Sequence, residues 1–593
     1  MRNLVILASF FIMASCKLSN TNPTRETNTE LNALFEKYWE DRLKLYPLEA
    51  TALGDLRYND LLPVSFSESY NDTLKQFCKR YQAFIARYDR DNLDTKDQLS
   101  YDIFKRELEV NLEGLDFHDN YTPFNQFYGL PLTFAQLGSG EGMQPFKTVK
   151  DYDDWLSRME KFSPWADSAI VYFEKGIATG YVLPASLVKK MIPQMQDLQS
   201  ASVQKSLFYA PLNKIPTDFT ATDKNRITDA YTRAIGEKVI PAYSRLAGYL
   251  QTTYLPKARS SAGINALENG DKYYTYQIKA QTTTTKTPEE IYQTGLSEVA
   301  RLRHLQDSIK HLVNFKGDLL QFFEFMKVDK QFMPYKNAGE VIAAFEAIHQ
   351  KISPNVEQMF NHQPKTPFEI RQTEAFRAAT ASAEYNPGSP DGSRPGIFYV
   401  PVLDATTFNS TSGMESLFLH EAIPGHHFQI SLQQEDTTLP KFRRFGGNNA
   451  YVEGWALYCE SLGKSLGLYT DPYQYMAALG DEMHRAIRLV VDVAIHTKGM
   501  TREQAIDYMM QNEAASLQYA TMEIERYMAI PGQALGYKIG ALKIAALRAG
   551  AEKALGNKFD VAAFHDEVLK HGSMPLDILE HRITEWIKRE GGK

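Results

Sequence analysis

Apolar residues recur every three or four positions along most of the chain, which is the spacing of one face of an α-helix. Thr287 precedes Pro288 and two glutamates, and this order favours a helix start, because threonine caps free amides and proline fits the first turn. We find no repeat of fixed length, so the pattern predicts a mostly α-helical protein rather than a repeat solenoid. The clearest helical segments are residues 31–46, 69–87, 288–313 and 338–352.

The best strand signal is the apolar run at residues 396–402, which follows a segment rich in proline and glycine. We expect a small β element here, beside the helix that follows it. Its edge could bind an extended peptide through main-chain hydrogen bonds. A strand packed within the core is the alternative.

The N-terminus resembles an export signal. Arg2 precedes an apolar stretch at residues 4–14, which is too short for a comfortable membrane span, and Ser15 and Cys16 follow it. The ending resembles a bacterial lipobox, in which Cys16 would carry the lipid; an ordinary signal peptide cleaved elsewhere is the alternative. We therefore expect a signal peptide at 1–16 and a flexible tether at 17–31. The expected product is an exported lipoprotein in the periplasm or on the outer membrane, touching the membrane through its lipid alone.

Composition changes this picture little. The chain has 593 residues, 43% of them hydrophobic and 23% charged, with a formal net charge of −7, and this mild acidity argues against nucleic-acid binding. After residue 31 no long proline- or glycine-rich linker separates domains. We expect one helical body with a central cleft, in which an N-terminal half (32–284) covers a continuous catalytic half (285–593).

The segment that begins with His420 and Glu421 carries the main chemical signal. A zinc hydrolase holds its metal with neutral imidazoles and uses a neighbouring carboxylate to take a proton from water. Pro424 occupies the position where a second ligand histidine would usually follow. Because proline cannot donate to the carbonyl of residue 420, and Gly425 tolerates unusual backbone angles, the helix should be bulged or broken here.

A broken helix would bring His426 to the metal beside His420. An unbroken helix would instead return His427 to the same face, but about 10 Å further along the axis. Bonds of roughly 2.0–2.1 Å do not span that separation. We therefore predict His420 and His426 as metal ligands, Glu421 as the catalytic base and His427 as a catalytic or substrate-binding group, while the choice between His426 and His427 stays open.

The third ligand should come from a following helix. Glu453 lies among apolar residues, where a buried carboxylate needs a metal or another cation, although a surface glutamate is the alternative. Glu460 follows at helical spacing and could orient a ligand. Further along, Arg488, Asp492 and His496 share one helical stripe, and Asp492 could pair with His496. A structural ion-pair network would explain this stripe as well.

Taken together, these motifs resemble the bacterial domain-of-unknown-function family numbered 885. The resemblance rests on the His420–Glu421 to His426–His427 segment and on the Glu453-Gly-Trp-Ala-Leu-Tyr segment. It is supported by residues 35–39, 287–292, 391–399 and 527–537, and so extends over most of the mature chain. It implies a mostly α-helical, zinc-peptidase-like fold of the gluzincin type, with a metal held by two histidines and a glutamate. Relatives of this fold place a tyrosine on a late helix, which makes Tyr537 a candidate to stabilise an oxyanion.

The leading hypothesis is a zinc metallopeptidase with one zinc ion per chain and a peptide substrate. Hydrolysis of another amide or ester by the same metal is the first alternative. A non-catalytic helical lipoprotein that binds nutrients is the second. Glu421 separates the two classes, because water activation needs a carboxylate beside the first histidine and a binding module does not.

Overall fold

The computed structural model describes residues 27–373, 382–389 and 394–592. The expected signal peptide, Cys16 and most of the expected tether lie outside these residues. The first helix begins at Thr29, so the last residues assigned to the tether are already helical. No helix in the described part of the chain is long and apolar enough to cross a membrane.

The predicted helical character is confirmed. Thr287 caps its helix as expected: its hydroxyl accepts from the Glu290 amide at 3.2 Å, and the Glu290 carboxylate accepts from the Thr287 amide at 2.8 Å. The helices before the sheet are α1 (Thr29–Leu45), α2 (Pro47–Ala52), α3 (Glu68–Ile85), α4 (Thr95–Gly114), α5 (Leu130–Gly138), α6 (Val149–Thr179), α7 (Ala185–Asp197), α8 (Ala221–Ala234), α9 (Ile240–Tyr249), α10 (Gly270–Thr282), α11 (Pro288–Leu312), α12 (Leu319–Val328) and α13 (Ala338–Met359).

A three-stranded sheet follows α13, with β1 (Phe368–Gln372), β2 (Glu384–Asn386) and β3 (Gly396–Val400) in the order β1-β3-β2. β3 is parallel to β1 and antiparallel to β2. The predicted strand exists, and of the two alternatives given for it the packed core strand is correct, since β3 is paired on both sides and its edge is not free for a peptide. Its apolar side chains explain this central position: Phe398 is fully buried and packs against Phe345 of α13.

The remaining helices form the part of the molecule that contains the candidate site residues. Among them α18 is buried on nearly all sides between Met483 and His496, so it forms the centre of this part. The helices are α14 (Met414–Glu421), α15 (His426–Glu435), α16 (Lys441–Arg444), α17 (Asn449–Ser461), α18 (Pro472–Thr497), α19 (Arg502–Asn512), α20 (Leu517–Ala529), α21 (Leu535–Leu555), α22 (Val561–Leu569) and α23 (Leu576–Gly591).

The buried apolar residues form three clusters, and the largest does not follow the expected division at residue 284. It joins α1, α3 and α4 to the sheet and to α14–α17 and α21–α23. Phe35 of α1, for example, lies 5.0 Å from Phe442 of α16, measured between ring centroids. A second cluster lies within residues 62–254, and a third surrounds α18. The N-terminal helices are therefore part of the same core that supports the candidate site.

Candidate metal centre

The chain breaks sharply between α14 and α15. α14 ends at Glu421, and α15 begins at His426 after Pro424 and Gly425. A Cβ atom on Gly425 would lie 1.9 Å from the carbonyl oxygen of His420, so only glycine fits this close approach. The predicted break is confirmed, and the alternative of an unbroken helix through Pro424 is excluded.

Helix α17 holds this break in place. The indole nitrogen of Trp455 donates to the carbonyl of Pro424 at 2.8 Å, and the Cys459 thiol lies 3.5 Å from the same oxygen. Trp455 and Cys459 are both fully buried. The two contacts satisfy a carbonyl that the interrupted helix leaves without a partner, and they fix α17 against the turn.

The break brings His420 and His426 together. Their ring centroids lie 4.8 Å apart with the rings nearly perpendicular. From α17, an oxygen of Glu453 lies 3.6 Å from Nε2 of His420 and 3.4 Å from Nε2 of His426. Glu421 adds a further donor, since one ligand atom of each of His420, Glu421 and His426 lies within 4.8 Å of the others. Both glutamates therefore lie beside the histidine pair, Glu453 through its contacts with the two Nε2 atoms and Glu421 through its place in the same group of ligand atoms.

Glu460 contacts the other side of His420. Its carboxylate lies 2.7 Å from Nδ1 of His420, and the exposed fractions of the two side chains are only 6% and 5%. The guanidinium of Arg485 is 3.9 Å from the same carboxylate oxygen. Glu460 thus fixes the ring orientation and leaves Nε2 of His420 facing Glu453, as expected for a group that orients a ligand.

The electrostatics of the cluster are dominated by carboxylates. Burial alone would lower the pKa of His420, but its hydrogen bonds to Glu453 and Glu460 raise it to about 10. Burial would raise the pKa of Glu453, yet the two imidazoles hold it well below its usual range. Three glutamates around two imidazoles leave an excess of negative charge in a buried place, which is a favourable setting for a cation.

The donor spacing fits a small divalent metal. Tetrahedral zinc sites with bonds of roughly 2.0–2.1 Å place their ligand atoms roughly 3.3 Å apart. The distances from Glu453 to the two Nε2 atoms are 3.6 and 3.4 Å, close to that value. Two imidazoles and one carboxylate also form a common donor set of catalytic zinc sites. These two distances and the donor types therefore agree with a zinc site, beside which Glu421 offers a further oxygen.

Glu421 is a partly buried carboxylate beside these donors. Burial raises the pKa of its carboxyl, while the histidines act in the opposite direction. The backbone amide of Tyr385 in β2 also donates to it. The sheet thus positions the carboxylate from one side and α14 from the other, a role for β2 that the short strand did not reveal in the sequence.

His427 faces away from this centre, towards the sheet. Its Nδ1 lies 3.0 Å from the hydroxyl of Tyr385 and 3.3 Å from that of Ser431. Its ring packs against Phe368 with centroids 4.7 Å apart. Burial lowers the pKa of His427 to about 4, so the ring is neutral at physiological pH. Of the two adjacent histidines, the structure brings only His426 to His420.

Tyr537 reaches the neighbourhood of Glu453 because α17 and α21 cross at two glycines. A Cβ atom on Gly454 would lie 2.5 Å from the Cα of Gly540, so any side chain at either position would separate the helices. Burial raises the pKa of Tyr537, and the charge of Glu453 adds to this rise. The guanidinium carbon of Arg488 lies 4.6 Å from the centre of the Tyr537 ring. Each glycine is visible in the sequence, but the sequence does not show that these two helices meet.

Arg488 is anchored on its other side by Glu523, at 3.0 Å, and by the hydroxyl of Tyr527, at 3.1 Å. Arg488 therefore links Tyr537 to a buried ion pair. This position agrees with either alternative given for the stripe, a catalytic group or a structural ion-pair network. The charge of Glu523 is stabilised here, because Arg488 and His484 outweigh burial and lower its pKa.

The expected pairing of Asp492 with His496 is wrong. Asp492 accepts from the Tyr274 hydroxyl at 2.6 Å and from the Gly532 amide at 3.1 Å. His496 accepts from the Ile264 amide at 3.0 Å, and its Nε2 donates to the carbonyl of Tyr527 at 3.0 Å. Burial raises the pKa of Asp492 to about 7 and lowers that of His496 to about 3. Both side chains instead tie α18 to neighbouring segments.

These observations define a class: large, mostly helical proteins with a buried centre of two histidines and three glutamates at a broken helix. Residues 47–583 match the family model described as "Bacterial protein of unknown function (DUF885)". The chain belongs to this family, which confirms the resemblance seen in the sequence.

Two solved structures share the whole fold. A Colwellia psychrerythraea protein described as a lipoprotein is 28% identical, with a TM-score of 0.85 over 94% of this chain and 99% of its own. A Shewanella oneidensis protein described as a lipoprotein of unknown function is 20% identical, with a TM-score of 0.73 over 93% and 99%. No curated protein matches the chain.

Proposed function

We propose that this protein is a zinc-dependent hydrolase, and specifically a metallopeptidase with a zinc-peptidase-like fold of the gluzincin type. The observation that carries the proposal is the convergence of His420, His426 and Glu453, with Glu421 beside them. The two histidines alone, or the two glutamates alone, would not support hydrolysis, because the reaction needs both a bound metal and a base.

His420, His426 and Glu453 would hold one zinc ion, and Glu460 would keep the ring of His420 in orientation. Zinc at this place supplies Lewis acidity, which polarises a carbonyl and makes water a stronger acid. Glu421 takes the proton from the attacking water and later delivers it to the leaving amine. Its raised pKa suits this double task, because the carboxyl can be protonated in the course of the reaction without strong penalty.

Tyr537 is the candidate to donate a hydrogen bond to the developing oxyanion. It lies in the first turn of α21, and its ring lies against the guanidinium of Arg488 from α18. Since burial raises its pKa, the phenol stays protonated at physiological pH and remains a donor. His427 would act through Tyr385 and the sheet, rather than by direct contact with the metal.

A peptide substrate is favoured by the position of β2. This strand pairs with β3, and its Tyr385 amide donates to Glu421. An extended peptide that lay along β2 would pass beside the base. Hydrolysis of a different amide or ester by the same centre is the alternative within enzymes. A nutrient-binding protein is disfavoured, because it has no need of Glu421.

We also propose that the protein is an exported lipoprotein anchored through Cys16, in the periplasm or at the outer membrane. The apolar N-terminal stretch that ends in Ser15 and Cys16 supports this assignment. Both structural relatives are themselves described as lipoproteins.

The test of the proposal separates metal binding from chemistry. Elemental analysis of the purified protein should find about one zinc per chain, and His420→Ala should lose it. His311→Ala is a matched control, because that histidine is exposed on α11, and it should keep the metal.

Glu421→Gln should retain zinc and abolish cleavage of a peptide library followed by mass spectrometry. Zinc that persists in His420→Ala would contradict the metal assignment. Full turnover by Glu421→Gln would contradict the role of this carboxylate as the base.

A further inference from the structure

A cavity of about 260 Å³ lies between α4 and α10, away from the residues of the metal centre. Its floor is formed by the segment that joins α16 to α17 and by the turn before α23. The cavity could hold roughly nine water molecules at about 30 Å³ each, which is enough for a small ligand. Its polar lining includes Arg106, Lys279, Arg443, Asn448 and Ser573.

Arg443 is the unusual member of this lining. Only 3% of the residue is exposed. It donates to the Ser100 hydroxyl at 3.3 Å and to the carbonyl of His571, both neutral acceptors. Its Nε is buried and has no hydrogen-bond partner, and no carboxylate in the described part of the chain forms an ion pair with it. Buried charges are normally paired, so this guanidinium needs a negatively charged partner.

The cations nearest Arg443 have carboxylate partners of their own. Arg582 pairs with the buried Glu567 at 3.0 Å. Arg106 and Lys279, which also line the cavity, pair with Asp577 and Glu113, and these two carboxylates are at least 40% exposed. Burial and the charge of Arg582 lower the pKa of Arg443 to about 9, against the weaker attraction of Tyr451 and Asp436.

Two further features complete the cavity. Glu107 is the acidic lining residue, and it is engaged elsewhere, by the Tyr38 hydroxyl at 2.8 Å and by Arg42 at 3.7 Å. Asn448, the residue before α17, also lines the cavity, and its backbone amide donates to the Ser573 hydroxyl at 2.9 Å. An asparagine and a serine beside the guanidinium of Arg443 offer further polar groups to an anion.

We propose that this cavity is a binding site for a small oxyanion, a phosphate or a carboxylate, held by the buried guanidinium of Arg443. Lys279 and Arg106 contribute charge from the two walls. The site is independent of the proposed hydrolase activity, since its argument uses neither the metal nor Glu421. The ligand would form charge-assisted hydrogen bonds with a guanidinium whose only partners within the described residues are neutral.

Calorimetric titration of the detergent-purified full chain tests this site, with inorganic phosphate and acetate as probes and chloride at matched ionic strength as reference. We expect phosphate or acetate to bind in excess of chloride, and the tighter probe identifies the class. Arg443→Met should weaken binding by about tenfold or more, because a buried charge partner is removed. Lys279→Gln should weaken it severalfold. Arg226→Gln, in an exposed ion pair elsewhere, should leave it unchanged.

Binding must also persist in His420→Ala, which excludes phosphate at the metal centre. If Arg443→Met does not fold, Lys279→Gln and Arg106→Gln decide the question. The proposal is overturned if neither probe binds more tightly than chloride, if Lys279→Gln and Arg106→Gln bind as the wild type does, or if His420→Ala removes the binding.

Discussion

Replacing Glu460 with glutamine should weaken zinc binding without unfolding the protein. The substitution keeps the size and shape of the side chain but removes its charge. In the native protein this carboxylate lies 2.7 Å from Nδ1 of His420, and both side chains are almost fully buried. The change therefore affects the ring that presents Nε2 to the proposed metal.

The size of the effect follows from this geometry. A hydrogen bond to a charged group contributes about 1.5–3 kcal/mol, which corresponds to roughly 10- to 150-fold in an equilibrium constant. Partners that orient a metal-bound histidine independently show effects of about 10- to 100-fold on metal affinity. We therefore expect the zinc dissociation constant of Glu460→Gln to rise by about 10- to 100-fold.

Competition with a chromophoric chelator measures this constant, and circular dichroism confirms that the helices remain. Glu552→Gln is the control, because Glu552 is 45% exposed and pairs with Arg548 on the surface. An unchanged affinity in Glu460→Gln, with the control also unchanged, would refute the role of Glu460 in orienting His420. Equal losses in both variants would point to a general effect of charge.

Gly425→Ala should destabilise the protein by on the order of 3 kcal/mol and lower its zinc content, because the new Cβ would lie 1.9 Å from the His420 carbonyl oxygen; wild-type urea denaturation and zinc content would contradict this. Gly540→Ala should cost a similar amount by forcing α21 away from α17, whereas Gly550→Ala, on the same helix with nothing within 4 Å, should be neutral or slightly stabilising. Equal behaviour of these two variants would exclude the close helix contact. Burial lowers the pKa of His565 to about 4, below its unfolded value near 6.5, so its contribution is complete above about pH 6.5 and is lost as the pH falls towards 4. His565→Gln should flatten this acid-induced loss by about 3 kcal/mol in unfolding curves measured from pH 7 to pH 4.

The parts of the fold that repeat a local pattern could be predicted from the sequence. The helical period located α11 and α13, and the Pro424–Gly425 pair predicted the break, because both residues act on the backbone within one turn. Glu453 could also be predicted as a candidate ligand, since a carboxylate within an apolar helix face needs a partner. The assignments of His420, His426 and Glu453 as metal ligands stay predictions until the metal content of the protein is measured.

The rest depended on contacts between distant segments. Asp492 and His496 have the right spacing for a pair, but Tyr274 and Ile264, more than 200 residues earlier, bind them instead. A packed position was one of two alternatives for β3, but its partner strands β1 and β2 were not predicted, because they are short and only partly apolar. The Gly454–Gly540 crossing is likewise invisible in either helix alone. The spacing along one helix shows which side chains share a face, but it does not show which residues of other segments pack against that face.

The core shared by the first and last helices has a consequence for biosynthesis. Helix α1 leaves the ribosome early, and Phe104 of α4 covers one side of Phe35 soon afterwards, but Phe442, which covers another side, is made about 400 positions later. At roughly 5–20 residues per second, the part of the apolar face that meets α16 stays uncovered for about 20 to 80 seconds. The nascent chain must therefore be kept from aggregating until its C-terminal third has emerged.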